Sequence, residues 1–497
     1  MNREHHSLTL SPAGLKLDVP AGTRLQEVLF AQGVEFPCGG RGRCKGCRVK
    51  VLRGELPIHN EEAGLLTRAE LDAGWRLACR HTITGDLALE LAQWEMPVLT
   101  DHASFSFISG DGLGIAIDLG TTTLAAQLLD LHTGNVLGVQ TALNAQARHG
   151  ADIMSRVEFA LHGGQAELQR LIREQLSGMI TKLLGARTEE LRRVILVGNT
   201  VMHHLFCGLD LTPLAGHPFE PAQKERRQFA PKELGWDLPA ATTVEFLPCL
   251  GGFVGSDLLA GIIATGLHES RDLLALLDLG TNGEVIVGHR DRILCTSTAA
   301  GPAFEGARIS SGMRAATGAI SQVQAENGAL ACQVIGSGEA RGVCGSGLVD
   351  AIAAGLELKW IQPSGRLANC IALPLAGKIS LQQADVRELQ LAKGAIAAGL
   401  RILTARLGAA LGDIQQLHLA GAFGNYISRV SAKRIGLLNL PLERVVPAGN
   451  TALLGAKRAL FAPSGAWDDL AGRIEPVALN EAPDFQDIYA EEMRFPG

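Results

Sequence analysis

A chain of 497 residues has room for roughly two to four compact units, each with a core of its own. A formal charge of −6, with neither half strongly basic, removes the general case for nucleic acid as a partner. Met1 to His6 lacks the basic segment and apolar core of a secretory signal, and the most apolar long stretch, Phe246 to Leu267, is broken by Gly251, Gly252, Gly255, Asp257 and Gly261. A cytoplasmic protein is therefore expected, with a buried helix after a glycine loop in place of a membrane span. In that setting ten cysteines argue against a disulfide framework. Cys207, Cys249, Cys295, Cys332, Cys344 and Cys370 are scattered and read as buried, unreactive thiols.

In chain order, residues 7–19 alternate apolar and polar around Ser11-Pro12-Ala13-Gly14, a hairpin pattern, and residues 24–32 have helical spacing. A glycine-rich loop then carries Cys38, Cys44 and Cys47 in a C-x5-C-x2-C spacing, a strand follows over Arg48–Leu52, and Cys79 comes alone after 31 intervening residues. Four thiolates, three on one loop whose glycines let amides turn toward sulfur, suit a [2Fe–2S] cluster. Zinc is the rival, but four-cysteine zinc sites usually show two C-x2-C pairs. The segment resembles β-grasp ferredoxins of the plant and adrenodoxin type over about residues 5–92, nearer the adrenodoxin subclass in its five-residue first gap. Arg41, Arg43, Lys45, Arg48 and Arg80 surround the cysteines, either to steer an acidic partner and ease reduction or as a solvated charged face.

After a linker over residues 95–112, Ile115 to Thr123 reads as a buried strand breaking into Asp118-Leu119-Gly120-Thr121-Thr122, a tight turn whose amides can approach an anion. Leu276 to Val287 repeats it as Asp278-Leu279-Gly280-Thr281-Asn282, 160 residues on, which suits one copy in each of two related lobes. Residues 124–140 complete a β-meander, 151–185 are helical with a break at Gly163-Gly164, and 194–200 read as a central strand before a helix through His203 and His204. Adjacent histidines point to different faces of a helix, which disfavours a metal pair. Two glycine-rich passages, Ala299–Ala307 including Gly301, and Arg341–Asp350, either line a cleft or turn corners. An alanine-rich helix over 384–411 precedes a strand that ends in a glycine turn, Gly421-Ala422-Phe423-Gly424, where a flat base has room against backbone. The acidic tail from Trp467 is expected to be an edge element or a docking surface.

The paired strand–turn–strand hairpins and the late Gly-Ala-Phe-Gly look like the superfamily of two-lobed ATPases that includes actin, the heat-shock chaperone ATPases and the sugar kinases. The resemblance covers about residues 113–465. It implies an α+β ferredoxin domain (1–94) and the linker (95–112), followed by α/β lobes with ribonuclease H-like cores (113–275 and 276–465) and the tail (466–497). It also implies ATP between the lobes, with phosphates held by Asp118, Gly120, Thr121 and Thr122 and by Asp278, Gly280, Thr281 and Asn282, and adenosine near Gly421 and Gly424. Asp118 and Asp278 would hold Mg²⁺ through water. Glu284, six residues after Asp278, is the candidate to position the attacking water, with Glu305 and Asp257 as alternatives.

The order of ferredoxin, linker and superfamily ATPase resembles the reductive activators of corrinoid proteins along essentially the whole chain. That family returns a corrinoid cobalt from Co(II) to Co(I) by one electron, coupled to ATP hydrolysis. The resemblance implies a corrinoid protein of a methyltransferase or O-demethylase system as partner and an upstream low-potential electron donor, and it allows a homodimer. A [2Fe–2S] centre moves one electron at a time, and plant-type centres lie near roughly −400 mV, so reducing a lower-potential cobalt is uphill and calls for coupling. Longer members carry an extra domain between ferredoxin and ATPase, for which residues 95–112 leave no room. Competing readings are a redox-sensing ATP-binding scaffold, an activator of a radical dehydratase, and a small-molecule kinase with a structural cluster.

Overall fold

The computed structural model describes residues 5–11, 15–32, 34, 40, 42, 45, 47–91, 107–150, 152–280, 282–298, 301–304, 306, 308–316, 318–336, 339–368 and 370–497. Alternation of buried Leu8 and Leu10 with more open Ser7 and Thr9 makes His5–Ser11 (β1) a one-sided strand. It pairs antiparallel with Leu15–Pro20 (β2) and parallel with Leu87–Leu91 (β5), while Arg48–Arg53 (β3) and Trp75–Leu77 (β4) complete a sheet of order β2-β1-β5-β3-β4. Helix Leu25–Ala31 (α1) lays Leu25, Leu29 and Phe30 on the sheet's core, with Asn60–Leu65 (α2) and Arg68–Asp72 (α3) in the long connection. The linker expectation falls largely on residues 92–106, outside the described residues. At its far end Phe107 meets Phe461, ring centroids 4.3 Å apart.

The first lobe begins with a meander of Leu113–Leu119 (β6), Thr123–Asp130 (β7) and Val136–Leu143 (β8), continued by Leu191–Val197 (β9), Arg227–Phe229 (β10) and Thr243–Phe246 (β11) in the order β10-β11-β9-β6-β7-β8. Its helices are Ile153–Phe159 (α4), Gln165–Leu184 (α5), Thr200–Cys207 (α6) and Ser256–Thr265 (α7). The break between α4 and α5 falls at His162 and Gly163, the latter at φ 92°. His203 and His204 are both buried, because α6 is covered all round.

The second lobe repeats the plan with Leu274–Leu279 (β12), Gly283–His289 (β13) and Arg292–Thr298 (β14). After Gly301–Phe304 (α8) comes a small sheet of Ala319–Glu326 (β15), Ala329–Val334 (β16) and Gly342–Val343 (β17), backed by Gly345–Glu357 (α9). A ribbon of Ala372–Pro374 (β18) and Ser380–Gln382 (β19) leads into Gln383–Arg406 (α10). Gln416–Ala420 (β20), Gly421–Tyr426 (α11), Arg429–Arg434 (α12), Val445–Gly449 (β21) and Thr451–Leu460 (α13) follow, then Asp468–Arg473 (α14), Ile474–Pro476 (β22) and Phe485–Glu492 (α15). The main sheet runs β21-β20-β12-β13-β14-β22. The acidic tail is therefore part of this lobe and not a separate segment: β22 pairs parallel with β14, and α15 lies on α10 with Ile488 and Phe495 buried. The expected glycine turn at 421–424 is a short helix.

What joins the lobes is a core they share. Ala116, Ile195 and Val197 from one sheet and Leu276, Ile286 and Cys295 from the other enclose α7 and α13 in one hydrophobic cluster. The two helices cross with almost no side chain between them: a Cβ at Gly455 would lie 2.0 Å from the Ala260 carbonyl oxygen. Gly455→Ala should therefore lower unfolding free energy by about 1–3 kcal/mol through forced separation of the helices. Gly178→Ala, on an exposed stretch of α5 with nothing within 4 Å, should hold or gain about 0.5 kcal/mol. Chemical denaturation of both variants checks the contrast.

Candidate functional site

Both meanders carry an aspartate as the next-to-last residue of their first strand, Asp118 in β6 and Asp278 in β12, each flanked by buried aliphatic residues. Asp278 sits directly across the ladder from Glu284. Asp257 comes from the first turn of α7, whose start is tied to β9 by the Ser256 amide donating to the Gly198 carbonyl at 2.9 Å. All four carboxyl groups keep some access to solvent. Burial, with repulsion from Asp118 and Asp278, pushes Asp257 up to about 7. Burial and Asp118 push Asp278 up to about 7, and burial lifts Asp118 to about 6 against a hydrogen bond from Asn450. Burial, Asp278 and Asp257 raise Glu284 well above the carboxylate range. Four acids that repel one another in a cleft make a seat for a cation. Among the described residues no group of His, Cys, Asp and Glu side chains is arranged to grip a metal directly.

The loop after β6 is braced from three sides. Asn144 Nδ2 donates to the Gly120 carbonyl at 2.9 Å, Asn199 Nδ2 donates to Thr121 Oγ1 at 2.8 Å, and the buried Arg156 donates through Nη2 to the Thr121 carbonyl at 2.5 Å. The Thr122 carbonyl accepts from the Asn144 amide. In the second loop the Gly280 amide donates to the Asn282 carbonyl at 3.0 Å, and Thr281 lies outside the described residues. Gly421, at φ +83°, brings its backbone over the acids: a Cβ there would stand 2.4 Å from Asp278 Oδ1. That places Gly421 at the acids, whereas Gly424 rests on Leu419 of the strand beneath. Phe304, just after Gly301, stacks on Phe423 at 4.6 Å, and Gly345 is wedged against both, so the three glycine-rich passages converge. Glu305 lies outside the described residues.

Several residues escaped the sequence reading. Asn450 Nδ2 donates to Asp118 Oδ2 at 2.9 Å across 332 residues of chain, while Asn450 Oδ1 caps α13. Asn199 does the same for α6. The signal was present as Gly-Asn-Thr at 198–200 and again at 449–451, each between a strand and a helix.

In the ferredoxin domain, Cys38 and Cys44 lie outside the described residues. Cys47 is buried at the start of β3, and Cys79 sits on a short turn drawn to it by the Ala78 amide donating to the Cys47 carbonyl at 3.0 Å. Glu62, fully buried, pins that turn by accepting from the Leu77 amide at 2.5 Å and from His81 Nε2 at 2.9 Å. Burial works against the Glu62 carboxylate, but hydrogen bonds from His81 and from the His59 and Leu77 amides hold it below its ordinary pKa. Arg80 donates to the Gly40 carbonyl, and a Cβ on Gly42, at φ +66°, would meet its guanidinium. Cys47 and Cys79, drawn together by the Ala78–Cys47 backbone bond, supply two of the four thiols that a cluster needs. The described cations around it have acid partners: Lys45 and Arg48 meet Glu70, and Arg80 meets Glu61. They are thus not a bare steering surface.

Fold and site together define a [2Fe–2S] ferredoxin domain fused to a two-lobed domain of the actin, chaperone and sugar-kinase class. Residues 8–84 match the 2Fe-2S iron-sulfur cluster binding domain, 113–270 the RACo middle region, and 272–497 the C-terminal domain of RACo, the ASKHA domain. The chain belongs to the family of reductive activators of corrinoid proteins. It is 36% identical to the corrinoid activation enzyme RamQ of Eubacterium limosum over 97% of each chain. It is 27% identical to the [Co(II) methylated amine-specific corrinoid protein] reductase of Methanosarcina barkeri over 77% of each. The solved structure of a reductive activator for corrinoid, iron-sulfur protein shares its fold at TM-score 0.66 and 24% identity, covering 99% of this chain and 98% of that one. Among the described residues no helix is long and apolar enough to cross a membrane.

The raised acids set a pH dependence. Their folded pKa values lie above the ordinary 3.8, so the neutral forms favour the folded state. That contribution is complete below about 4 and lost as pH rises toward about 7. Melting of the nucleotide-free chain in EDTA should accordingly drop between about pH 4 and about pH 7, and Asp257→Asn should flatten the drop. An equal slope in wild type and variant contradicts the assignment.

Proposed function

We propose that the protein carries out ATP-dependent, one-electron reductive activation of a corrinoid protein, taking its cobalt from Co(II) to Co(I). The observation that carries this reading is that one chain presents both a thiol-bearing loop closed by Glu62 and a cleft lined by Asp118, Asp257, Asp278 and Glu284 at the junction of two lobes. The names of the relatives, a corrinoid activation enzyme and a corrinoid-protein reductase, support the partner class. The bound cluster supplies a one-electron carrier.

The residues divide the work. Asp118 and Asp278 hold Mg²⁺ through water. Gly120, Thr121 and Thr122 on one side and Gly280, Thr281 and Asn282 on the other offer amides and hydroxyls to the phosphates, and the starts of α7 and α13 add their positive ends. Gly421 lets the backbone close over Asp278, and the Phe304–Phe423 stack beside Gly301 backs the nucleoside end. Asp257, held near neutrality, and Glu284, across from Asp278, stand where a water attacking the terminal phosphate is oriented and loses its proton. Cys38, Cys44, Cys47 and Cys79 hold the cluster. The partner belongs to a methyltransferase or O-demethylase system, and a low-potential donor supplies electrons in the cytoplasm.

The test mixes reduced protein, MgATP and a Co(II) corrinoid protein and follows Co(I) absorbance. Cys79→Ser should abolish electron transfer while nucleotide still binds. Asp278→Ala should keep the cluster's visible spectrum and cut ATP-stimulated reduction by about a hundredfold. Rapid phosphorylation of a small alcohol or acid with no Co(I) would overturn the reading.

A further inference from the structure

The short turn 145–148 is held at one end by the first phosphate loop and at the other by the ferredoxin domain. At the loop end, Asn144 meets Gly120 and Thr122, and Arg156 ties the two segments together. Its Nη2 donates to the Thr121 carbonyl, its Nη1 to Gln146 Oε1 at 3.3 Å, and its Nε to the Gly150 carbonyl at 2.9 Å. Asn144, Gln146 and Arg156 are all fully buried. Two residues beyond Gln146 the chemistry changes. Ala147 is buried within the ferredoxin's own hydrophobic cluster, and the Arg148 guanidinium lies 5.0 Å from the Phe30 ring centroid. Phe30 belongs to α1, which packs on the turn carrying Cys79, and α1 also presents Gln26 to Gly40, where a Cβ would strike the amide at 2.2 Å. Continuous contacts thus run from Thr121 to both sides of the cluster loop.

A second foot stands on the other lobe. Glu90 of β5 pairs with Arg341. The Arg341 amide donates to the Gly318 carbonyl at 2.8 Å, and β17 runs from there into Gly345, which touches Phe304 and Phe423. Among the described residues the ferredoxin domain therefore contacts both lobes, and each contact leads to a loop of the proposed nucleotide site.

We propose that Arg156 is a positioning residue that couples the first phosphate loop to the seat of the cluster domain, with Glu90–Arg341 as the counter-contact on the second lobe. The proposal deepens the reading of the cleft as a nucleotide site and rests on it. Drawing phosphate into the Gly120–Thr122 loop loads the Thr121 carbonyl's partner, shifts Gln146 and the turn with it, and changes how firmly α1 is held. Rotation of the lobes about α7 and α13 changes the separation of the two feet, so both cannot keep the same geometry in the open and closed states.

Hydrogen exchange on the full cluster-loaded chain tests this without any corrinoid partner. Mg²⁺ with a non-hydrolysable ATP analogue should change exchange at residues 145–148 and 25–31 by about fivefold or more. Arg156→Gln should still bind the analogue by calorimetry and keep the cluster spectrum, but lose the response at 25–31, and Arg156→Lys should restore part of it. Should Arg156→Gln not fold, Glu90→Arg and Arg341→Glu should each diminish the response, and the charge-swapped pair should restore it. A bound analogue that leaves 25–31 unchanged, a full response in Arg156→Gln, or a swap that restores nothing would overturn the proposal and leave the nucleotide reading standing. No analogue binding at all would overturn both.

Discussion

The crossing of α7 and α13 is the constraint on which the rest of the structure depends. Gly455 against Ala260 brings the two helix backbones into contact, and two sheets close over them from opposite sides. The lobes therefore have no separate inner faces to slide past one another; they share a core and can move only by rotating about the helix pair. That same crossing sets the floor of the cleft. Asp257 opens α7, and Asn450 caps α13 while binding Asp118, so the spacing of the acids follows from how closely the helices approach. Four carboxyl groups that repel one another are costly to hold in an empty cleft, and the shared core offsets that cost.

The pseudo-symmetry of the lobes makes their differences informative. Strand, hairpin, helix, strand, helix, strand and helix recur in the same order, and Gly-Asn-Thr recurs before α6 and α13. Yet the two phosphate loops are not equally braced. The first is fixed by Asn144, Asn199 and Arg156, while the second gains its close partner from Gly421. Asn199 holds a threonine hydroxyl of its own lobe, whereas Asn450, in the same Gly-Asn-Thr triplet but before a different helix of the repeat, reaches across to the other lobe's aspartate. An otherwise repeated scaffold thus assigns anchoring to one side and interlobe linkage to the other.

Much of this was legible from residues near one another in sequence. Strand periodicity broken by Asp-x-Gly-Thr located both loops, and cysteine spacing located the ferredoxin fold, because each rests on local geometry. The Gly421–Tyr426 helix was not legible as a helix, since two glycines in four residues read as a turn until Phe423 stacks on Phe304 and Gly424 settles on Leu419. Of the two readings of the tail, the edge element is what the fold contains, since β22 closes the second sheet, while Val477, Leu479, Ile488 and Phe495 enter the core. Asn450 could not be tied to Asp118, 332 residues away, by any local rule. Arg156, a charge within the expected helical stretch 151–185, is fully buried, which helical spacing does not disclose.

Residues 95–112 join the ferredoxin and ATPase-like domains in sequence, and the two domains also meet through folded contacts. Contacts that carry a signal must change when the cleft changes. Those at Ala147, Arg148 and Phe30 meet that condition because their support is the phosphate loop itself, and Glu90–Arg341 meets it because its support leads to the Phe304–Phe423 stack. The shared core confines the lobes to rotation, the rotation moves two loops relative to each other, and the electron-carrying domain stands on both. The proposed coupling between nucleotide and cluster thus has a route through the seat of the ferredoxin domain, beside the covalent junction.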